Sequence, residues 1–178
     1  EMRTYDLDFI QVKVCVRGFP LTPKAKTTKG NCMAIYHCST KTVNRSSGRT
    51  AVASMAYRAG EKLEDERTGL THDFTKKDGV VHTEILSNLD IQIDRGELWN
   101  LAEKSENRKD ARTAREWVIA LPDELTADQR KDVAKNFAQS IVDRYGVIAD
   151  LAIHEPSKGG NDKNHHAHIM LTTRKAEL

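Results

Sequence analysis

The sequence predicts an α/β or α+β sandwich, in which about five β-strands form a sheet with at least one face covered by helices. Short segments that alternate apolar and polar residues lie between longer segments whose apolar residues recur every three or four positions. Capping and turn sequences separate these segments. With 178 residues, 38% of them hydrophobic, the chain can bury one substantial core, so a single main domain is expected.

The first 32 residues form a separate segment. The stretch DFIQVKVCVRGF alternates valines with polar residues like a half-buried strand, and the polar linker LTPKAKTTKGNC follows it. Met33 is a candidate natural start of the protein. We therefore interpret residues 1–32 as an N-terminal extension, either derived from cloning or adding an edge strand, and residues 33–178 as the functional domain.

The segments after Met33 can be assigned in turn to strands, turns and a helix. AIYHCST predicts a short strand, NRSSG a turn, and residues 49–62 an Ala-rich helix. ERTGLTHDF indicates two short β segments around a Thr-Gly turn, and GVVHTEIL alternates like another strand. These segments supply the first half of the expected sandwich.

Capping residues define the second half. Asp94 and Glu97 predict a capping box for a helix that carries Leu98, Leu101 and Ala102 on one side. EWVIALP is typical of a buried strand that ends at its proline. A second capping box begins a helix with apolar residues at i, i+4 and i+8, and two strands follow at about 147–155 and 165–173. The second helix is defined by Thr126, Gln129, Val133, Phe137, Ile141 and the C-terminal Gly146.

Charge and hydropathy exclude some classes of protein. The net charge of +2 does not indicate a general polyanion binder, although Lys41, Arg45 and Arg49 form a local basic cluster. No apolar stretch is long enough for a membrane span, and no secretory signal opens the sequence, so a cytoplasmic protein with no membrane partner is expected.

Three histidines form the first candidate site. Because strand side chains alternate between faces, His166 and His168 in HHAHIML point the same way. If this strand pairs with the preceding DLAIHEP, His154 joins them on one face, and the intervening apolar residues pack against helices. Three imidazoles with open coordination positions would form a catalytic metal site.

Ordinary packing is the alternative interpretation of these histidines. An isolated His-x-His pattern is more often solvent-facing or part of a core than a ligand pair. A third histidine on the same face gives the packing and metal-ligand interpretations about equal weight. His165 should point to the opposite face, so it is left out of the metal set.

Tyr57 is the second candidate. On a helical wheel it lies away from the apolar stripe of its helix, and its neighbours Ala53 and Gly60 are small, so a bulky group can approach the phenol. Most tyrosines in such positions simply keep the hydroxyl in solvent. A phenol is nevertheless a competent nucleophile at phosphorus when a metal neutralises the phosphate oxygens.

The ordered motifs carry a family resemblance. MAIYHCSTKTVNRSSGRTAVASMAYRAGEKL, REWVIALPDEL, AIHEP and NHHAHIMLTTR resemble the successive motifs of MobA/MobL-type conjugative relaxases, over residues 33–178. The resemblance implies an HUH (histidine-hydrophobic-histidine) endonuclease with a five-stranded antiparallel sheet and helices on its faces. It further implies that Tyr57 is the nucleophile and that His154, His166 and His168 hold Mn²⁺ or Mg²⁺.

The same resemblance implies a function. Such relaxases nick and rejoin one strand of plasmid DNA at an origin of transfer through a covalent 5′-phosphotyrosine, and accessory relaxosome proteins are expected partners. Glu116 is expected either to orient a ligand imidazole or to accept the tyrosine proton; a solvent-facing role is an equal alternative. The basic cluster defined above is expected to contact the phosphates of single-stranded DNA. Relatives usually continue beyond the last motif, so we expect a domain of a longer protein.

Several other functions stay open at this point. A rolling-circle replication initiator or a transposase shares the chemistry, although a tyrosine ahead of the histidines argues against those in which it follows them. A three-histidine metal hydrolase would use a metal-bound water and tolerate Tyr57→Phe. A non-catalytic DNA-binding module would need neither the metal nor the tyrosine.

Overall fold

The fold is built on one antiparallel sheet that carries helices on both faces. The computed structural model describes residues 37–90, 92–157, 159 and 161–177. The proposed N-terminal extension lies outside them. Every neighbouring pair of strands in the five-stranded sheet is antiparallel. In spatial order these strands are β1 (Cys38–Asn44), β5 (Arg112–Ala120), β7 (His166–Thr172), β6 (Ala149–His154) and β4 (Val80–Leu86).

Two further strands form a separate hairpin, and three helices complete the fold. The hairpin consists of β2 (Lys62–Asp65) and β3 (Leu70–Asp73), joined at the predicted Thr-Gly turn. The helices are α1 (Ala51–Ala59), α2 (Arg95–Lys104) and α3 (Ala127–Tyr145). A five-stranded antiparallel sheet flanked by helices was expected from the sequence, and this expectation is confirmed.

Helix α3 covers one face of the sheet. It begins with the predicted capping box, in which Thr126 and Gln129 bond each other's backbone, and it ends at Gly146 in the left-handed conformation. Its buried side packs on strand residues that alternate along β5, β6 and β7. These strand residues include Trp117, Ile119, Leu151, Ile153, Ala167, Ile169 and Leu171.

Helices α1 and α2 pack on part of the opposite face, around Ala152 and Met170. A buried polar group connects α2 to the sheet: Asp150 accepts hydrogen bonds from the Arg95 guanidinium and from Trp99 Nε1, at 2.9–3.0 Å. Because strand residues alternate, these two helices and α3 bury different sets of side chains. The histidines discussed below lie on the face that α1 and α2 share.

The structure corrects three element boundaries. Helix α1 ends at Ala59, so the prediction of a helix through residue 62 is wrong: Gly60, at φ 67°, closes the helix and the chain turns into β2. Strand β1 continues to Asn44, beyond the predicted AIYHCST segment. Strand β5 begins at Arg112, ahead of the predicted EWVIALP segment.

Helix α2 buries part of the apolar side that the sequence indicated. Asp94 caps it by accepting from the Gly96 and Glu97 backbone. Leu98 is buried and Ala102 packs partly against the core, whereas Leu101 is 50% exposed. Trp99 also points inward, where the indole donates to a buried carboxylate. None of the helices in the described part of the chain is long and apolar enough to span a membrane.

Candidate metal centre and active site

Strand pairing brings three histidines together on one face of the sheet. β6 and β7 pair so that His154 lies opposite His166, and Ala152 lies opposite His168. The three ring centroids are 4.8–5.3 Å apart. One ring nitrogen from each histidine lies within 4.8 Å of the others. Neighbouring strands are themselves about 4.8 Å apart, so antiparallel pairing places the cluster.

Backbone oxygens orient two of these rings. His154 Nε2 lies 2.7 Å from the Arg58 carbonyl oxygen, and His166 Nδ1 lies 2.9 Å from the Asn164 carbonyl oxygen. A carbonyl oxygen only accepts, so the imidazole nitrogen must donate in each pair. These bonds assign the tautomers and leave Nδ1 of His154 and Nε2 of His166 with a free lone pair.

Glu116 orients the third ring. Its Oε1 accepts from His168 Nδ1 at 2.6 Å, which leaves Nε2 of His168 free. The same carboxylate accepts two hydrogen bonds from the Arg58 guanidinium, one of them to Oε2 at 2.5 Å. Burial raises the pKa of Glu116, but the bonds from His168 and Arg58 and their charges outweigh it and lower the pKa to about 2. The carboxylate is therefore ionised at neutral pH and buried.

The protonation states of His154 and His166 suit metal binding. Burial, followed by the positive charges of Lys77 and the neighbouring histidines, lowers the pKa of His154 to about 4 against the raising effect of its bond to Arg58. Burial also lowers the pKa of His166. Neutral imidazoles are the form that binds metal ions, and each ring presents one free nitrogen. The donor set therefore fits a divalent metal ion with open coordination positions.

Tyr57 is connected to this cluster through the residue that follows it. It occupies the last turns of α1, is 52% exposed, and directly precedes Arg58, whose carbonyl accepts the bond from His154. The five residues of the same helix that are buried are Ala51, Val52, Met55, Ala56 and Ala59. Tyr57 thus lies off the buried side of the helix, as its position on the helical wheel predicts, with its ring accessible to a large ligand.

Sequence reasoning missed two residues that contact these groups. Arg58 was not singled out, although it touches both His154 through its carbonyl and Glu116 through its guanidinium. Lys77, in the loop between β3 and β4, places Nζ 3.8 Å from the centroid of the Tyr57 ring. Neither residue belongs to a recognisable spacing pattern, and only the proximity of Arg58 to Tyr57 in the sequence offered a signal.

The remaining histidines of the described chain lie outside the cluster. His165 points away, with Nε2 3.4 Å from an Asp123 carboxylate oxygen. His82 pairs with Glu84 at 3.2 Å. The metal-ligand grouping in the described residues contains only the three histidines named above.

The three residues of the basic cluster, Lys41, Arg45 and Arg49, have different surroundings in the structure. Arg45 donates to Glu103 and to the backbone carbonyls of Glu106 and Arg108, and its side chain is nearly buried, which argues against the phosphate contact predicted for it. Lys41 and Arg49 are exposed. Lys41 lies opposite Glu116 in the β1–β5 strand register, so the lysine is on the face of the sheet that carries the histidines.

Comparisons with known proteins find relatives of this chain. A sequence profile of the MobA/MobL family matches residues 49–177. "Mobilization protein MobL" of Acidithiobacillus ferridurans is 52% identical over 124 residues, which are 70% of this chain and 33% of that protein. "Conjugal transfer protein TraA" of Rhizobium radiobacter is 38% identical over 155 residues, covering 80% of this chain and 14% of that protein. The chain therefore spans a third or less of these relatives.

A solved structure shares the fold. It is described as "Molecular Basis of Vancomycin Resistance Transfer in Staphylococcus aureus", and it superposes with a TM-score of 0.73 and 33% sequence identity. The match covers 81% of this chain and 73% of that one.

Proposed function

The chain belongs to the MobA/MobL family, and from that membership we propose that it nicks and rejoins one strand of plasmid DNA at an origin of transfer. The reaction proceeds through a covalent 5′-phosphotyrosine intermediate and initiates conjugative transfer. The observation that carries this proposal is a cluster of three oriented imidazoles, one of which bonds the carbonyl of the residue that directly follows the exposed Tyr57.

Tyr57 acts as the nucleophile. Its Oη attacks the scissile phosphorus and forms an Oη–P bond while the bond from phosphorus to the 3′ oxygen breaks. The phenol loses its proton and the 3′ oxygen gains one, so the products are a free 3′ hydroxyl and a 5′ phosphate attached to Tyr57. One phosphodiester replaces another, which makes the step reversible without ATP, and attack by a 3′ hydroxyl rejoins the strand.

His154, His166 and His168 hold the divalent ion, for which Mn²⁺ or Mg²⁺ is proposed. When bound, such an ion supplies neutralisation of charge on the phosphate. Glu116 acts as a positioning residue: a carboxyl with a pKa near 2 is a poor acceptor for a phenol proton, whereas its bond fixes the His168 ring.

Lys41 and Arg49 are the proposed contacts to the DNA backbone. Both are exposed, and Lys41 lies on the face of the sheet that carries the histidines. Such contacts position the strand without reading its sequence, and they make affinity fall as salt rises. Accessory relaxosome proteins are proposed partners, and a plasmid substrate implies a cytoplasmic site of action.

The alternative functions predict either a different product or a different DNA substrate. A three-histidine metal hydrolase would release a free 5′ phosphate and would keep its activity in Tyr57→Phe. A replication initiator or transposase would form the same covalent bond on a different DNA sequence. The names of the relatives, which refer to mobilization and conjugal transfer, favour an origin of transfer as the substrate.

The test uses labelled single-stranded oligonucleotides that span candidate origins of transfer, incubated with the full chain and Mn²⁺ and separated on denaturing gels. The proposal expects a protein-linked DNA fragment with the wild type and none with Tyr57→Phe, although Tyr57→Phe still binds the oligonucleotide. Tyr145→Phe, on the opposite face of the sheet, serves as the matched control and should form the adduct. Cleavage without a protein-linked fragment would refute the proposal.

A further inference from the structure

Two side chains of the loop between β3 and β4 contact the Tyr57 ring. Phe74 meets the ring edge to face, with centroids 5.2 Å apart and an interplanar angle of 89°. Lys77 approaches with Nζ 3.8 Å from the ring centroid. A hydrogen bond from the Lys77 backbone to the Phe74 carbonyl, at 2.9 Å, closes the loop between them. Two side chains of one loop therefore hold the proposed nucleophile.

The Lys77 ammonium has a second attachment in the same place. Nζ donates to the Tyr57 carbonyl oxygen at 2.7 Å, so the ammonium is fixed both to the backbone and over the ring of one residue. An unconstrained surface lysine samples many rotamers, and these two contacts restrict it. The ammonium is thereby held at the end of α1, where the carbonyls of the last turn also favour a cation.

The surroundings of Lys77 are already positive. Burial and the charge of Arg58 lower the pKa of Lys77 to about 8. After burial, the charge of Lys77 contributes to the lowered pKa of both His154 and His166, so the ammonium lies within electrostatic reach of two proposed metal ligands. An ammonium that contacts the nucleophile and is within electrostatic reach of two proposed metal ligands is stabilised when an anion binds beside it.

Open space adjoins the ammonium. Lys77 lines a cleft of about 290 Å³ between the end of α1 and strand β4, together with Gly60, Val80 and His82. The Lys77 side chain therefore borders open space on the β4 side, although neither Tyr57 nor the three histidines line this cleft.

From this geometry we propose that Lys77 is a further catalytic residue, which contacts both the Tyr57 ring and a non-bridging oxygen of the scissile phosphate. This inference rests on the proposed function, because it requires that a phosphodiester bind beside Tyr57. Lys77 supplies charge and position only, and it neither gains nor loses a bond in the reaction. Its charge stabilises the phosphate as negative charge builds up during the attack.

The plain alternative is that Lys77 only caps helix α1. A capping lysine would change the stability of the fold but would not distinguish a charged from an uncharged phosphate. The test must therefore measure the interaction between the lysine and one particular phosphate, apart from metal binding and catalysis.

The probe is the single-stranded oligonucleotide that forms the wild-type adduct, with its cleaved phosphate located by mapping that adduct. A second version carries an uncharged methylphosphonate at that position. Affinities for both are measured in EDTA with full-length Tyr57→Phe protein, which cannot cleave and keeps the aromatic ring. The same measurements follow with Lys77→Met and with Lys76→Met added to this protein.

The proposal expects the methylphosphonate to weaken binding about five- to tenfold when Lys77 is present, the size of a partly exposed charge-assisted contact. With Lys77→Met, the two oligonucleotides should bind equally. Lys76→Met removes an exposed charge from the same loop and should leave the discrimination unchanged.

A kinetic measurement adds a second readout. In the protein with Tyr57 intact, Lys77→Met should lower the rate of adduct formation at saturating DNA and Mn²⁺ by about a hundredfold, and Lys77→Arg should restore part of it. If the methylphosphonate weakens binding equally in the proteins with and without Lys77→Met, the proposed role of Lys77 is refuted and the proposed function is not affected. Failure of the wild type to form any adduct would overturn the proposed function.

Discussion

Replacing Glu116 by Gln tests how much the charge of Glu116 stabilises the metal-free protein. The substitution keeps the shape of a side chain that is 2% exposed, but it removes the charge that binds Arg58 and His168. The pKa of Glu116 falls from the ordinary 4.5 to about 2. At about 1.4 kcal/mol for each pH unit, this difference corresponds to about 3 kcal/mol of folding free energy.

The sign of the pH dependence follows from the direction of the change. A carboxyl whose pKa is lowered on folding stabilises the folded state above pH 4.5, and this contribution is lost as the pH falls through about 2. The free energy of unfolding of the wild type should therefore exceed that of Glu116→Gln by about 3 kcal/mol at pH 7 and by about 1.5 kcal/mol at pH 3.

The assay is urea unfolding in EDTA at several pH values between 3 and 7, followed by circular dichroism. Glu124→Gln, which removes an exposed carboxylate, is the control and should change stability by less than about 0.5 kcal/mol throughout. A difference between wild type and Glu116→Gln that stays constant from pH 7 to pH 3 would refute the reasoning, since packing effects do not titrate.

Three further predictions concern other parts of the molecule. His166→Ala should weaken Mn²⁺ binding, measured by calorimetry, by about a hundredfold or more, whereas His165→Ala should leave it unchanged. Asp150→Ala should lower the free energy of unfolding by about 3–5 kcal/mol, because it removes the buried carboxylate that binds Arg95 and Trp99 and leaves the guanidinium only its contact with the partly exposed Glu61. Arg45→Ala should lower the melting temperature without changing the salt dependence of DNA binding; a reduced slope would restore the phosphate contact predicted from sequence.

The histidine cluster could be predicted because its geometry is local. Alternation along β7 places His166 and His168 on one face, and a short connection from β6 makes antiparallel pairing the natural expectation, which adds His154. The same alternation places Trp117 and Ile169 against α3. Where one residue spacing determines the contact, the sequence was sufficient for the prediction.

Contacts between distant segments could not be predicted in this way. Arg45 belongs to a basic cluster in sequence, but its partner Glu103 lies 58 residues away, and nothing local indicates that the two meet. Lys77 lies in a loop without periodicity, so its approach to Tyr57 depends on how the β2–β3 hairpin returns to the sheet. The fully buried Trp99 depended in the same way on a distant carboxylate, Asp150.

Peptide mapping of the DNA adduct tests the central claim most directly. The full chain is incubated with Mn²⁺ and a cleavable origin oligonucleotide, digested with nuclease and protease, and analysed by tandem mass spectrometry. The account predicts a nucleotide linked through its 5′ phosphate to the phenol of Tyr57. A nucleotide on another residue, or complete cleavage that leaves an unmodified Tyr57 peptide and a free 5′ phosphate, would contradict it.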